Sequence, residues 1–298
     1  MNNRAMKELT RWSLGLLFLA PALALAAQDI DSRHEMPGDG LVQVENLAGG
    51  VEFTTWDRDE VQLRGRVADD VEEVEIETTA NGIRVVVRNK RNRRQIDPTY
   101  LHLKVPTGAS IEAESVSADL SVSGSRGESI TLETVSGDVE VEAWSARIEV
   151  ASVSGDVEFE GEAERMSAES VSGDVVLIGV RAEVEASTVS GDVTLEGGII
   201  NNGRFETVSG EINLVLELAD GGRLDCDAMS GDISLRLPAD QQAAFMAQSY
   251  SGEINSEFGD PRRNSGSPSG QILKAKAGDN GARIRLETFS GDISIRAR

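Results

Sequence analysis

Apolar and polar residues alternate one for one along most of the chain. Ile130, Leu132 and Thr134 are spaced by polar neighbours, as are Val139 and Val141, Ile148 and Val150, and Val157 and Phe159. A period of two predicts strands with one face buried. Val, Ile and Thr dominate these stretches, and such side chains suit a pleated surface. Between 111 and 256 the one proline is Pro238, so little interrupts main-chain pairing.

The strands are joined by a phrase that returns through the chain. It stands complete at Val135-Ser136-Gly137-Asp138-Val139 and recurs at 153–157, 171–175, 189–193, 208–212, 229–233, 250–254 and 289–293, with a degenerate copy, Val116-Ser117-Ala118-Asp119-Leu120, ahead of them. The serines step by 19, 18, 18, 18, 19, 21, 21 and 39 residues. A fixed period of this length marks a solenoid, in which each unit covers the apolar face of the next. The expected fold is all-β, a single-stack parallel β-solenoid (a β-helix). Each turn is a strand, a Ser-Gly corner with backbone angles that suit glycine, and a second strand. Layers roughly 4.8 Å apart give a rod roughly 40 Å long. Parallel crossovers favour right-handed winding.

The remaining boundaries follow from composition. Residues 1–26 read as a secretory signal: Arg4, Lys7 and Arg11 precede an apolar Leu14–Leu25 stretch, and Ala24-Leu25-Ala26 is a small-x-small cleavage site. Residues 27–36 read as a flexible leader. Residues 37–110 alternate without the phrase and read as an irregular β cap, with a hairpin turn at Asn81-Gly82. Residues 111–298 are the coil. It is broken at 257–281 by a Gly-, Pro- and Ser-rich loop, in which Gln271–Ala275 can form a strand. Arg283–Arg298 is the expected last turn.

Charge narrows the partners. Without Arg4, Lys7, Arg11 and Glu8, 26 cationic residues face 50 anionic ones, a net of −24. Such a surface repels nucleic acid and anionic membrane faces. No apolar run after the signal reaches transmembrane length. Cys226 is the one cysteine, so no internal disulfide forms and the residue reads as a small inert side chain. Against this background Arg88, Lys90, Arg91, Arg93 and Arg94 form an abrupt basic cluster. It reads as a solvated loop, or as a contact for phosphate or sulfate groups or for an acidic protein.

The sequence offers no catalytic constellation. His34 and His102 lack a triad setting, and a nucleophile does not recur in every layer. Ser136-Gly137-Asp138, Ser154-Gly155-Asp156, Ser172-Gly173-Asp174 and Ser190-Gly191-Asp192 are therefore expected to be structural corners. Their serines should bond nearby backbone. The acidic column Asp138, Asp156, Asp174, Asp192, Glu211, Asp232, Glu253 and Asp292 is expected to accept backbone N–H groups. Calcium between layers is the alternative, but one carboxylate per layer supplies few of the six to eight oxygens it takes. No cofactor or metal is expected. Glu133, Glu140, Glu142, Glu149, Glu158, Glu160 and Glu185 fall on the outward parity, where charge discourages aggregation.

The Val105-Pro106-Thr107-Gly108-Ala109 entry to the coil, the serial Ser-Gly-Asp phrases and the closing Glu287-Thr288-Phe289-Ser290-Gly291-Asp292-Ile293 resemble a bacterial family. It is catalogued as domain of unknown function 4097 and is also labelled "putative adhesin". The resemblance covers nearly all of 40–298, with Ala118 and the basic cluster as departures. It implies an exported, adhesin-like binding or structural module in the periplasm or at the cell surface, with an envelope protein or a polysaccharide as partner. It brings no catalytic residue. A periplasmic role in envelope signalling or assembly is the alternative, and a polysaccharide-active β-helix enzyme is a third reading.

Overall fold

The computed structural model describes residues 29–90, 96–263, 269–278 and 281–298. Every regular element among the described residues is a β-strand, and all of them join one continuous sheet. The repeats stack in parallel and in register: Val139 lies beside Val157, then Val175, Val193, Ile212 and Ile233. Residues one period apart therefore share a column. Ile148, Met166 and Val184 form one inward column, and Val141, Phe159, Leu177 and Leu195 form another. All are buried in a single core. Neighbouring columns can compensate for one another: Gly203 leaves room that the Phe205 ring fills, its Cε2 standing 3.0 Å from where a Gly203 Cβ would be.

The coil begins earlier than the phrase does. Leu41–Trp56 is a full layer, paired in parallel with Ser110–Ser125 on one side. On its other side lie Gly82–Asn89 and Thr99–Pro106, which together make the outermost layer. Residues 37–110 thus contain two stacked layers, and the chain builds the inner one first. The edges are closed by antiparallel strands: Val71–Thr79 on Gly82–Asn89, Glu60–Arg66 on Thr99–Pro106, and Ile30–Glu35 on Glu60–Arg66. The expected leader is therefore ordered from Ile30, whose side chain is buried together with Met36. The hairpin turns through Ala80 and Asn81, since Thr79 pairs with Gly82. Gly82 is required by packing instead: a Cβ there would stand 2.0 Å from the Leu41 carbonyl oxygen.

The opposite end is interleaved in the same way. Ala282–Ser290 and Ile293–Ala297 do not finish the stack. They lie between the layer of 223–237 and the layer formed by Ala243–Ser251 and Ile254–Ser256. Gln271–Ala277 runs antiparallel on the outer edge of Ala243–Ser251 and carries Arg262–Arg263 beyond it. Phe258 stacks on Phe245 with ring centroids 4.8 Å apart. The step of 39 between phrase serines therefore reflects a chain that lays down the outermost layer, doubles back across it, and returns to fill the place beneath.

Candidate binding edge

At each corner the two-residue alternation breaks. Thr134 points in, Val135 and Ser136 both point out, Gly137 points in, and Asp138 points out. The extra outward position carries an apolar residue in each of the nine layers that bear the phrase. Val116, Val135, Val153, Val171, Val189, Val208, Met229, Phe289 and Tyr250 follow one another along the coil, between 37% and 63% exposed. Their order follows main-chain bonds in which the N–H of a phrase serine donates to the carbonyl of the apolar residue in the layer before, from Ser136 on Val116 through Ser230 on Val208, with Ser154 to Val135 and Ser290 to Met229 both at 3.0 Å. At the far end Tyr250 stacks on Phe289. Parity counted across the phrase would have exposed this column in the sequence.

The hydroxyl that closes each corner is not that of the phrase serine, which faces solvent. It belongs to the residue two positions earlier. Ser152 Oγ donates to the Gly137 carbonyl (3.3 Å) in the layer before and accepts the Gly155 N–H (2.9 Å) of its own corner. Ser170 does the same with Gly155 and Gly173. Thr134, Thr188, Thr207, Ser249 and Thr288 repeat the bond to the neighbouring carbonyl, and all are buried. Ala228 holds this position in one layer. The corner glycines are likewise required by neighbours and not by unusual angles, since none of them has positive φ. A Cβ on Gly155 would stand 1.8 Å from the Gly137 oxygen, and one on Gly173 2.0 Å from that of Gly155. Ala118 is tolerated because it and the layer before it run through as the unbroken strands Ser110–Ser125 and Leu41–Trp56.

The acidic column is bonded layer to layer. Asp138 Oδ1 accepts the Asp156 N–H (3.0 Å), Asp156 that of Asp174 (2.8 Å), Asp174 that of Asp192 (2.8 Å), and Asp192 that of Glu211 (2.7 Å). Asp232 serves Asp292, which serves Glu253, both at 2.7 Å. Carboxylates one layer apart repel by roughly 0.9 kcal/mol in water. A bond from N–H to a charged acceptor contributes about 1.5–3 kcal/mol, enough to offset that repulsion. Among the described residues no three His, Cys, Asp or Glu side chains are arranged to hold a metal ion.

The described part of the basic cluster is engaged locally. Arg88 Nε donates to Glu75 (2.7 Å), which holds the guanidinium above its ordinary range, and Glu73 lies 3.9 Å away. Lys90 Nζ donates to the Asp69 carbonyl at 2.7 Å. Arg91, Arg93 and Arg94 lie outside the described residues, as does the signal segment. His102 is paired with Glu52 at 2.9 Å and lies within 3.4 Å of Thr54 Oγ1. His34, half-buried beside Ser32, is pushed down by burial. Cys226 takes the core place next to Phe205, where burial pushes the thiol well up.

Asp227 lies on the flank of this edge, between Glu206 and Glu287 of the neighbouring layers. Burial raises its pKa, and Arg285, 3.5 Å away, offsets this in part, while Glu287, Glu206 and Asp225 add to the rise. A carboxyl raised in the folded state stabilises below its unfolded pKa, and that contribution is lost as pH rises through the folded value. Asp227→Asn should therefore gain in melting temperature against the parent between about pH 3 and pH 7, spanning the carboxylate range. A difference that does not change with pH would contradict this assignment.

No curated protein matches the chain. The sequence model of one family, Toastrack DUF4097, matches it twice, at residues 73–198 and 183–296. The chain belongs to this family. The two matches overlap at 183–198, inside the unbroken stack, so the Toastrack repeat passes through the junction without a seam. Similar solved structures include a "putative adhesin" from Bacteroides fragilis, 14% identical over 91% of this chain and 97% of that one, with a TM-score of 0.45. Another "putative adhesin", from Parabacteroides merdae, is 9% identical over 90% and 96%, with a TM-score of 0.46. A "putative lipid binding protein" from Parabacteroides distasonis is 13% identical over 90% and 96%, with a TM-score of 0.45. No helix among the described residues is long and apolar enough to cross a membrane.

Proposed function

We propose that this Toastrack protein is an exported, non-catalytic, adhesin-like binding module of the cell envelope, and that it engages its partner along the corner edge. The observation that carries this reading is the exposed apolar column. Its nine members span eight layer spacings, roughly 38 Å, on a protein whose formal charge is −22. A monomer exposes a contiguous apolar strip of that kind where something binds. The serine hydroxyls and the acidic column run beside it, so the matching partner is a protein surface with an apolar stripe bordered by cationic side chains. Two like-charged copies of this edge repel. Export rests on the apolar stretch behind Arg4, Lys7 and Arg11, and the coil is taken to wind right-handed as parallel crossovers do.

The test is a triple variant, Val153→Ser with Val171→Ser and Val189→Ser. All three side chains are already partly solvated, so the melting temperature should move little. Retention of labelled protein on envelope fragments from the producing cells is expected to weaken at least about tenfold, the scale of one lost apolar anchor. Arg88→Glu with Lys90→Glu should leave retention unchanged. Equal retention by the parent and the triple variant would refute the edge as the binding surface.

A further inference from the structure

We infer that a depression beside Tyr100, on the outer surface where the acidic column reaches Asp119, is a binding site for a neutral sugar residue. The register brings two rows of outward side chains together there. Arg66, Tyr100, Gly50 and Asp119 form one row, and Arg64, His102, Glu52 and Ser121 form the next. Gly50 contributes no side chain, and its absence opens the depression, about 560 Å3 in volume. A Cβ at Gly50 would stand 3.2 Å from Tyr100 Cδ1, so the ring forms one wall of the gap. The main chain at Val51 and Leu101, whose side chains are buried in the core, forms the floor. The volume falls in the range of small-molecule sites, roughly 300–1,000 Å3.

The chemistry of the rim selects the ligand. Tyr100 is 55% exposed, a large aromatic face kept in water. Around it stand guanidinium, imidazole, carboxylate and hydroxyl groups. Some are already fixed: Glu52 is held by His102 at 2.9 Å, and Arg64 by Asp31 at 3.2 Å. Arg66 has no ion-pair partner among the described residues. A free anion would meet Glu52 and Asp119, and a free cation would meet Arg64 and Arg66. An extended peptide would need an open strand edge, but Thr99–Pro106 is paired on both sides, with Leu41–Trp56 and with Glu60–Arg66. A pyranose satisfies every part. Its C–H face lies on an aromatic ring, and its hydroxyls both donate to carboxylates and accept from guanidinium groups.

The chain has two tyrosines and two histidines, so their ring signals can be assigned and followed directly. The probes are the methyl glycosides of glucose, mannose, galactose and N-acetylglucosamine, with methyl glucuronide and inorganic phosphate for comparison. Binding of one ring is weak, with Kd of about 1 mM or above. At least one neutral glycoside should shift Tyr100 and His102 saturably and leave Tyr250 and His34 in place. Tyr100→Ala should weaken the His102 response at least about tenfold, and Arg66→Gln several-fold; both side chains are exposed, so the fold survives. Absence of any shift with all four neutral glycosides would overturn the inference, as would a His102 response that persists in Tyr100→Ala. Shifts produced by glucuronide or phosphate alone would also overturn it and make the depression an anion site. The result is independent of the corner-edge variants, so either reading can fail without the other.

Discussion

Replacing Gly173 with alanine should destabilise the coil by about 3 kcal/mol or prevent it from folding. The added methyl would lie 2.0 Å from the Gly155 oxygen, 2.5 Å from its carbonyl carbon and 3.0 Å from the Asp156 nitrogen. All three are backbone atoms, and none can swing away as a side-chain tip would. Overpacking a core typically costs about 1–3 kcal/mol. The upper end applies here, because the layers can part only by breaking bonds such as Ser172 N–H to Val153 O (3.0 Å) and Asp174 N–H to Asp156 Oδ1 (2.8 Å). Urea unfolding measures the loss. Gly197→Ala is the control: its φ of 79° disfavours a side chain, but nothing lies within 4 Å of the new Cβ. It should cost about 1 kcal/mol, the penalty of the left-handed region. If the two variants lose equal stability, close approach between layers is not what the corner glycines serve.

Ser170→Ala should cost nearly as much, about 2–3 kcal/mol. It strips a partner from the Gly155 carbonyl (3.2 Å) and from the Gly173 N–H (2.9 Å) without opening either to water. A buried group left unbonded costs about 1–3 kcal/mol. Ser170→Thr should be tolerated, since Thr188 and Thr207 occupy the same column. The converse change is available at Ala228, where Ala228→Ser supplies the missing hydroxyl and should add about 1 kcal/mol. Equal midpoints for Ser170→Ala and the parent would mean that the hydroxyl column is incidental.

The repeat made the parallel stack legible because equal spacing of an alternating pattern leaves few other ways to bury Val139, Val157 and Val175 together. Spacing does not say which segment lies beside which once the chain skips a place. Leu41–Trp56 carries no Ser-Gly phrase, and Arg283–Arg298 carries a full one, yet the first is an ordinary inner layer and the second is not the last. The corner residues are visible in the sequence, but the reasons for them are not: glycine answers to the neighbouring carbonyl, and the buried hydroxyl sits two residues ahead of the conspicuous serine. The leader misled through composition, since Ile30 and Met36 anchor a strand that otherwise shows polar side chains. The Tyr100 depression was hidden because Arg66, Tyr100, Gly50 and Asp119 come from four strands that meet only in the fold.

The interleaved ends make this rod unlike a string of beads that can be trimmed at either tip. Deleting 282–298 would not shorten it by one unit; it would withdraw a middle course and leave 223–237 and 243–256 facing each other across the missing one. Whoever wishes to lengthen or shorten the protein must therefore cut near its waist, where one 18-residue sentence such as 154–171 can be spliced out or duplicated and its neighbours still meet in step.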